Sequence, residues 1–171
     1  VIADLALLPV VLESRLGEVT LRAAREEDLD ALMALLADDE VSAARGDVAA
    51  EEDRPAYAAA LTAIQADPAN ALLVAESADG ALIGTLQLTR IPGMARRGAT
   101  RLLVEAVRVR SDLRSSGVGS AMMRWVVDDA APALGCALVQ LTSDSARVAA
   151  HRFYERLGFV ASHVGFKYRV V

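Results

Sequence analysis

The chain has 171 residues, a formal net charge of −5, 54% hydrophobic residues, one cysteine and two histidines. That length and composition indicate one globular domain with a sizeable core and exclude a disordered chain. The acidic balance without a long basic run argues against a nucleic-acid surface, the lone cysteine excludes an intrachain disulfide, the few histidines leave no zinc cluster, and no apolar stretch reaches membrane-span length.

Residues 1–17 form an N-terminal extension to which the pattern assigns no structure. Its apolar start contains Asp4 and Pro9 and lacks a basic n-region, so it does not read as a signal peptide, and a cytoplasmic location is the default expectation. A tail, an extra packed segment or a dimer contact would each fit it. Residues 18–22 alternate as a short strand. Residues 25–37 read as a helix, with Glu26, Glu27 and Asp28 favouring its first turn and Leu29, Leu32, Met33 and Leu36 forming its stripe. A polar loop over 38–48 leads to a second helical candidate, 49–66, stopped by Asp67-Pro68.

Apolar runs at 71–77 and 81–89, joined by Ala78-Asp79-Gly80, predict a hairpin. A loop over 91–99 carries Arg96 and Arg97. The strand that follows, 100–109, is apolar on both alternating faces, as expected with cover on both sides. Val118, Ala121, Met122, Trp125 and Val126 then mark one face of a helix reaching about residue 131, with Trp125 in the core. Residues 136–142 read as the next strand, where Cys136 is a buried, inert thiol. Ala150, Phe153, Tyr154 and Leu157 follow at helical spacing with Gly158 as the stop, and residues 160–171 read as one or two terminal strands.

The most informative stretch joins the central strand to its helix through Arg114-Ser115-Ser116-Gly117-Val118-Gly119-Ser120. The first N–H groups of a helix have no intrahelical partner and carry partial positive charge. Gly117 and Gly119 lack Cβ atoms, so a ligand can approach the backbone closely. The product is a phosphate cradle built of main-chain donors. A P-loop would close on Gly-Lys-Ser/Thr, and a dinucleotide fingerprint would place a third glycine where Met122 stands. A tight turn without a ligand fits the same hexapeptide.

Arg-x-x-Gly-x-Gly after a Val-x-Val strand resembles motif A of the GCN5-related N-acetyltransferase (GNAT) family. The run Ala149-Ala150-His151-Arg152-Phe153-Tyr154-Glu155-Arg156-Leu157-Gly158-Phe159 resembles motif B of the same family, one strand and one helix later. The resemblance covers about residues 18–170, so residues 18–171 are expected to form a single GNAT acetyltransferase domain. It implies an α/β (α+β) acyl-CoA N-acyltransferase fold: a mixed, mostly antiparallel sheet of six to seven strands flanked by about four helices. It also implies acetyl-CoA as the acyl donor, with Arg114, Ser115, Ser116, Gly117, Val118, Gly119 and Ser120 around its pyrophosphate and Val107 and Val109 pairing with the pantetheine arm. A bulge or N–H near Val107 could polarise the thioester oxygen. Where many members have an asparagine at the start of the motif B helix, this chain offers Arg147, which could pair with a phosphate of CoA.

The implied reaction is direct attack of a primary amine on the thioester in a ternary complex. Tyr154 matches the motif B tyrosine that protonates the sulfur in relatives; a core tyrosine is the alternative. Glu105, a carboxylate in an apolar strand, is costly unless paired or facing a cleft. It stands where several members place a water-relaying glutamate, and an ion pair with Arg101 or Arg108 is the alternative. Arg96 and Arg97 are a solvated loop pair or a grip on a substrate anion. His151 and His163 read as ordinary surface residues. The expected function is N-acetylation of a small-molecule amine, the acidic balance mildly favouring cationic acceptors. A protein lysine or N-terminal acetyltransferase and a non-catalytic CoA-binding module are the competing readings. No metal, nucleic acid or membrane is expected, and a homodimer through the apolar terminal segments is left open.

Overall fold

The computed structural model describes residues 2, 6–44 and 46–170. Six strands lie side by side in chain order: β1 (Val10–Ser14), β2 (Gly17–Ala23), β3 (Asn70–Ser77), β4 (Leu82–Ile91), β5 (Arg101–Val109) and β6 (Leu138–Leu141). All neighbours are antiparallel except β5 and β6, which are parallel. This is the mixed, mostly antiparallel sheet the resemblance implies. The predicted hairpin turns at Gly80, whose φ of 84° suits a residue without Cβ.

Helices cover both faces. α1 (Leu29–Ala37), α2 (Glu40–Ala43) and α3 (Arg54–Ala66) precede β3, and a single turn, α4 (Ala95–Gly98), lies between β4 and β5. α5 (Val118–Trp125) follows β5 and passes through a wider turn at 126–130 into α6 (Ala131–Ala133); α7 (Val148–Arg156) follows β6. The main core buries Leu21, Leu73, Leu86, Leu88, Leu102 and Val104 against Met122, Trp125 and Val126, with Phe153 and Tyr154 packed at its side. A smaller core on the other face joins Leu29, Leu32, Met33 and Leu61 to Val74. Because neighbouring residues of a strand point to opposite faces, Leu73 and Val74 serve different cores.

One ion pair ties the α1 side to the sheet. Arg22 donates from Nη1 and Nη2 to both Asp28 carboxylate oxygens at 2.7 and 2.9 Å, and from Nε to Glu76 at 2.8 Å. Burial pushes the Asp28 carboxyl up, but the hydrogen bonds from Arg22 and the Arg25 N–H bring it below its ordinary value.

Three elements differ from the sequence-based expectation. Val10–Ser14 of the N-terminal extension is strand β1, paired with β2 from Val10↔Leu21 to Ser14↔Gly17, so the sheet begins before residue 18. Ile2 is buried, whereas residues 1 and 3–5 of that extension lie outside the described residues. The polar loop at 38–48 contains the helical turn α2. The expected terminal strands at 160–171 do not form over 160–170, where Val160, Val164, Phe166, Tyr168 and Val170 are exposed; residue 171 lies outside the described residues. Alternation makes a segment strand-compatible, but a strand also needs a neighbour and a covered face.

Two irregularities interrupt the pairing of β5 near its C-terminal end. Its ladder with β6 ends at Val104↔Leu141, so residues 105–109 run on with that edge open. On the other side the register steps from Gln87↔Glu105 to Thr85↔Arg108. Ala106 and Val107 therefore oppose one residue, Leu86, in a β-bulge, with Ala106 at a φ of 51°.

Candidate functional site

The strand–turn–helix of the cradle is formed as expected. β5 ends at Val109, one helical turn spans Ser111–Leu113, and α5 starts at Val118. Ser115 and Gly117 adopt positive φ values of 67° and 90°. The first N–H groups of α5 have no intrahelical partner, since its first closing bond is the 2.9 Å one from Ala121 N–H to Gly117 O. The Ser116 hydroxyl is buried without a hydrogen-bond partner. A buried hydroxyl left in that state is unfavourable unless something arrives to bond it.

The β1–β2 turn supports the cradle from behind, a contact that sequence reading missed because it assigned no structure there. Arg15 N–H donates to Ser116 O at 2.9 Å, and a Cβ on Gly117 would sit 3.2 Å from Arg15 N. A surface cavity of ≈ 470 Å³ beside it is lined by Arg15, Gly117, Ser120 and Arg124, but also by Glu13, Asp128 and Asp129. The carboxylates offset the guanidiniums, which leaves the partial positive charge of the main-chain N–H groups at the helix start unmatched by side chains. Gly119 faces the other way, where a Cβ would lie 3.4 Å from Val109 and 3.5 Å from the Phe153 ring. α7 thus packs directly on the first turn of α5.

Tyr154, the next residue on α7, packs edge-on to Phe153 and Phe159 at centroid separations of 5.0 and 5.8 Å. Burial pushes its phenol above the ordinary value, and the charges of Arg108 and Arg147 oppose that rise. The group is a proton carrier across the neutral range, as an acid must be. Glu105 is exposed, immediately before the bulge, and makes no ion pair among the described residues. The expected partners are otherwise placed: Arg108 reaches across to α2, and Arg101 lies at the far end of the strand. Leu102 and Val104 enter the main core, so Glu105 and, beyond the bulge, Arg108 lie toward the α1–α2 side.

Arg147 and Arg114 both bridge segments. Arg147 spans to the end of α1, its two terminal nitrogens bonded to both oxygens of Asp39, one of them at 2.6 Å. As the chain stands it is a strut across the site, with those nitrogens committed rather than open to a phosphate. Arg114 donates from Nη2 to Asp38 O at 2.9 Å, and the Ser111 N–H donates to the Asp38 carboxylate at 2.6 Å. The α1–α2 joint is therefore fastened to the cradle loop and to α7. Sequence reading missed Asp38, Asp39 and Ser42, which lie more than sixty residues from their partners.

Burial raises the Asp39 carboxyl, but the hydrogen bonds of Arg147 and the Ser42 N–H, with the charges of Arg147 and Arg108, bring it down to about 2. A carboxyl near 4 in the unfolded chain and near 2 in the folded one contributes stability that is complete above pH ~4 and lost as pH falls through ~2. Denaturant unfolding should show about 2 kcal/mol of stability lost over that window in the native protein and absent from Asp39→Asn. Identical pH dependence in both proteins would contradict the assignment. A second expectation concerns the orphaned hydroxyl: Ser116→Ala should leave stability level or slightly raised, because no folded-state bond is lost, while weakening binding of a phosphate ligand several-fold. A clear loss of thermal stability would show that the hydroxyl has a partner in the free protein.

Of the remaining candidates, Arg96 and Arg97 are exposed, with left-handed φ values of 55° and 59° in the β4–β5 connection. His151 Nε2 lies 2.8 Å from Asp144 O, and His163 Nδ1 lies 2.8 Å from the Ser162 hydroxyl. Among the described residues no cluster of three or more His, Cys, Asp or Glu could hold a metal ion, and no helix is long and apolar enough to cross a membrane.

The site thus joins a helix N-terminus with unpaired main-chain N–H groups to a strand whose last residues have an open edge. The sequence matches the Acetyltransferase (GNAT) family over residues 23–159, and the chain belongs to that family. Among similar solved structures, a transcriptional regulator from Bacillus halodurans C-125 is 38% identical, covering 89% of this chain and 99% of that one with a TM-score of 0.83. An acetyltransferase from Trypanosoma brucei is 23% identical, covering 89% and 99%, with a TM-score of 0.68. Glucosamine-6-phosphate N-acetyltransferase from Arabidopsis thaliana is 18% identical, covering 88% and 97%, with a TM-score of 0.71. At those lower identities the likeness is one of fold. No curated protein sequence matches the chain.

Proposed function

We propose that this protein is an acetyl-CoA-dependent N-acetyltransferase that acts on the primary amine of a small molecule by direct attack in a ternary complex. The observation that carries the reading is the junction of the N–H cradle at 115–120, with its orphaned Ser116 hydroxyl, and the open edge of β5 at 105–109. The residues present fit coenzyme A: the N–H groups of residues 117–120 and the Ser116 hydroxyl would hold the pyrophosphate, the Ser116 N–H being already bonded to Leu113 O at 3.2 Å, and the backbone of Val107 and Val109 would align the pantetheine arm as an added strand. Bound there, acetyl-CoA supplies the acetyl group as a thioester.

The chain's own residues supply the rest. Holding donor and acceptor side by side makes the encounter effectively intramolecular, which can remove a large part of the barrier. The bulge at Ala106 and Val107 turns a main-chain N–H away from regular pairing, where it could stabilise negative charge on the carbonyl oxygen. Tyr154 would deliver its phenolic proton to the departing sulfur. Glu105, exposed at the bulge, would take the proton of the attacking ammonium through water.

The Bacillus halodurans relative is named a transcriptional regulator. The sequence of this chain is acidic overall, at a net charge of −5, and has no long basic run of the kind that marks a nucleic-acid surface. Thiol release from acetyl-CoA over a panel of amines, alongside calorimetric titration with acetyl-CoA, tests the proposal. Amine-dependent release is expected. Tight binding with no release from any small amine would favour a protein substrate or a passive CoA-binding module.

A further inference from the structure

We propose that Arg108 is a specificity-determining residue of this site, and that the acceptor amine carries an anionic group, a carboxylate or a phosphate, which Arg108 binds. The inference rests on the acetyltransferase reading and narrows its substrate class. Arg108 stands two residues after the positive-φ Ala106, and the bulge turns its side chain toward α2. Nη1 donates to Val107 O at 2.8 Å and Nη2 to the Ser42 hydroxyl at 2.6 Å. Ser42 is itself buried, so the guanidinium is anchored at a fixed place.

What the guanidinium lacks is a counter-charge in direct contact. It makes no ion pair among the described residues, and its Nε is buried without a partner. A guanidinium carries five N–H groups, and among the described residues only two of them are engaged. Two carboxylates act on it from a distance: Asp39, committed at both oxygens to Arg147 and accepting a further bond from the Ser42 N–H at 2.8 Å, and Asp47, which accepts the Tyr57 hydroxyl at 2.5 Å. Neither carboxylate forms an ion pair with Arg108, so the guanidinium has no direct anionic contact among the described residues. Burial pushes the Arg108 guanidinium below its ordinary value. A half-buried cation with free donors is costly, and an anion that arrives with the ligand offsets the cost.

The position separates this anion from those of coenzyme A. Val107 and Val109 pack with the main core on the α5 side, and the cradle is the start of α5. Arg108 points to the opposite side of β5, toward the α1–α2 segment. A ligand reaching it comes from that side, where exposed Glu105 also lies. Arg suits the planar, bidentate recognition of carboxylate or phosphate.

The test compares matched amines: amino acids against their amides, amino-sugar phosphates against the unphosphorylated sugars, and polyamines as cationic controls. Native protein should acetylate at least one anionic class with kcat/KM tenfold or more above its neutral counterpart. The carboxylate and phosphate arms tell which anion is meant. Arg108→Gln should erase that preference, mainly through KM, and Arg108→Lys should restore part of it. Ser42→Ala, which loosens the anchor and keeps the charge, should raise KM for the anionic amine by a smaller factor. Turnover of neutral or cationic amines equal to or better than anionic ones overturns the inference and leaves the acetyltransferase reading standing. So does a fall in kcat shared equally by all amines in Arg108→Gln. Failure of native protein to bind acetyl-CoA by calorimetry defeats the parent reading, and this one with it.

Discussion

Tyr154→Phe should lower turnover by about 100-fold or more, the lower range for loss of a positioned acid, with little change in acetyl-CoA affinity. Only the hydroxyl is removed. The ring remains in its edge-on contacts with Phe153 and Phe159, so the packing of α7 against the cradle helix is kept. The large effect follows from the difficulty of expelling an unprotonated alkyl thiolate at neutral pH. Burial keeps the phenol protonated well above that pH, so its proton is available when the sulfur leaves. The rate of Tyr154→Phe should also lose the alkaline fall that loss of the phenolic proton causes in the native protein. Steady-state kinetics with a fixed amine, paired with calorimetry, separates the two effects. Full turnover in Tyr154→Phe would return this residue to a purely structural role.

Gly117→Val should weaken binding of acetyl-CoA at least tenfold and also lower stability. Two costs coincide at this position. A β-branched residue at a φ of 90° is strained by about 1–3 kcal/mol, and its Cβ would press to 3.2 Å from Arg15 N. The neighbour is backbone of the β1–β2 turn, whose N–H is already bonded to Ser116 O, so it cannot swing aside as a long side chain would. Relief must come from moving the turn or the cradle, and either displaces the N–H groups that face the ligand. Binding measured at a temperature where Gly117→Val remains folded isolates the cradle effect from the loss of stability. Unchanged affinity in the folded variant would mean that the phosphates lie elsewhere.

What the sequence made legible and what it hid divide along the distance between interacting residues. The cradle is contiguous, so strand pattern, glycine spacing and helix periodicity already describe it, and Gly117 and Ser115 adopt the turn conformations it requires. Phe153, Tyr154 and Gly158 lie within one helix and its stop, and they too fall where periodicity places them. The charged framework is different. Arg147 could be noticed as a cation near a cofactor, but its partner Asp39 lies 108 positions away, and Arg108 meets Ser42 across 66. No local pattern encodes such pairs. Glu105 was recognisable as an odd carboxylate in an apolar strand, yet the bulge beside it, which shapes the polar face it shares with Arg108, is a property of pairing with β4. The terminal segment shows the converse failure: its alternation suits a strand, but no strand forms over residues 160–170.

The central claim is that the amides of residues 117–120 grip the diphosphate of coenzyme A. Amide-resolved NMR during titration with CoA, compared with dephospho-CoA and pantetheine, tests it most directly. Large shifts in Gly117, Val118, Gly119 and Ser120 with CoA and dephospho-CoA, and small ones there with pantetheine, are the predicted result. Saturation with CoA that leaves those four resonances in place would contradict the account.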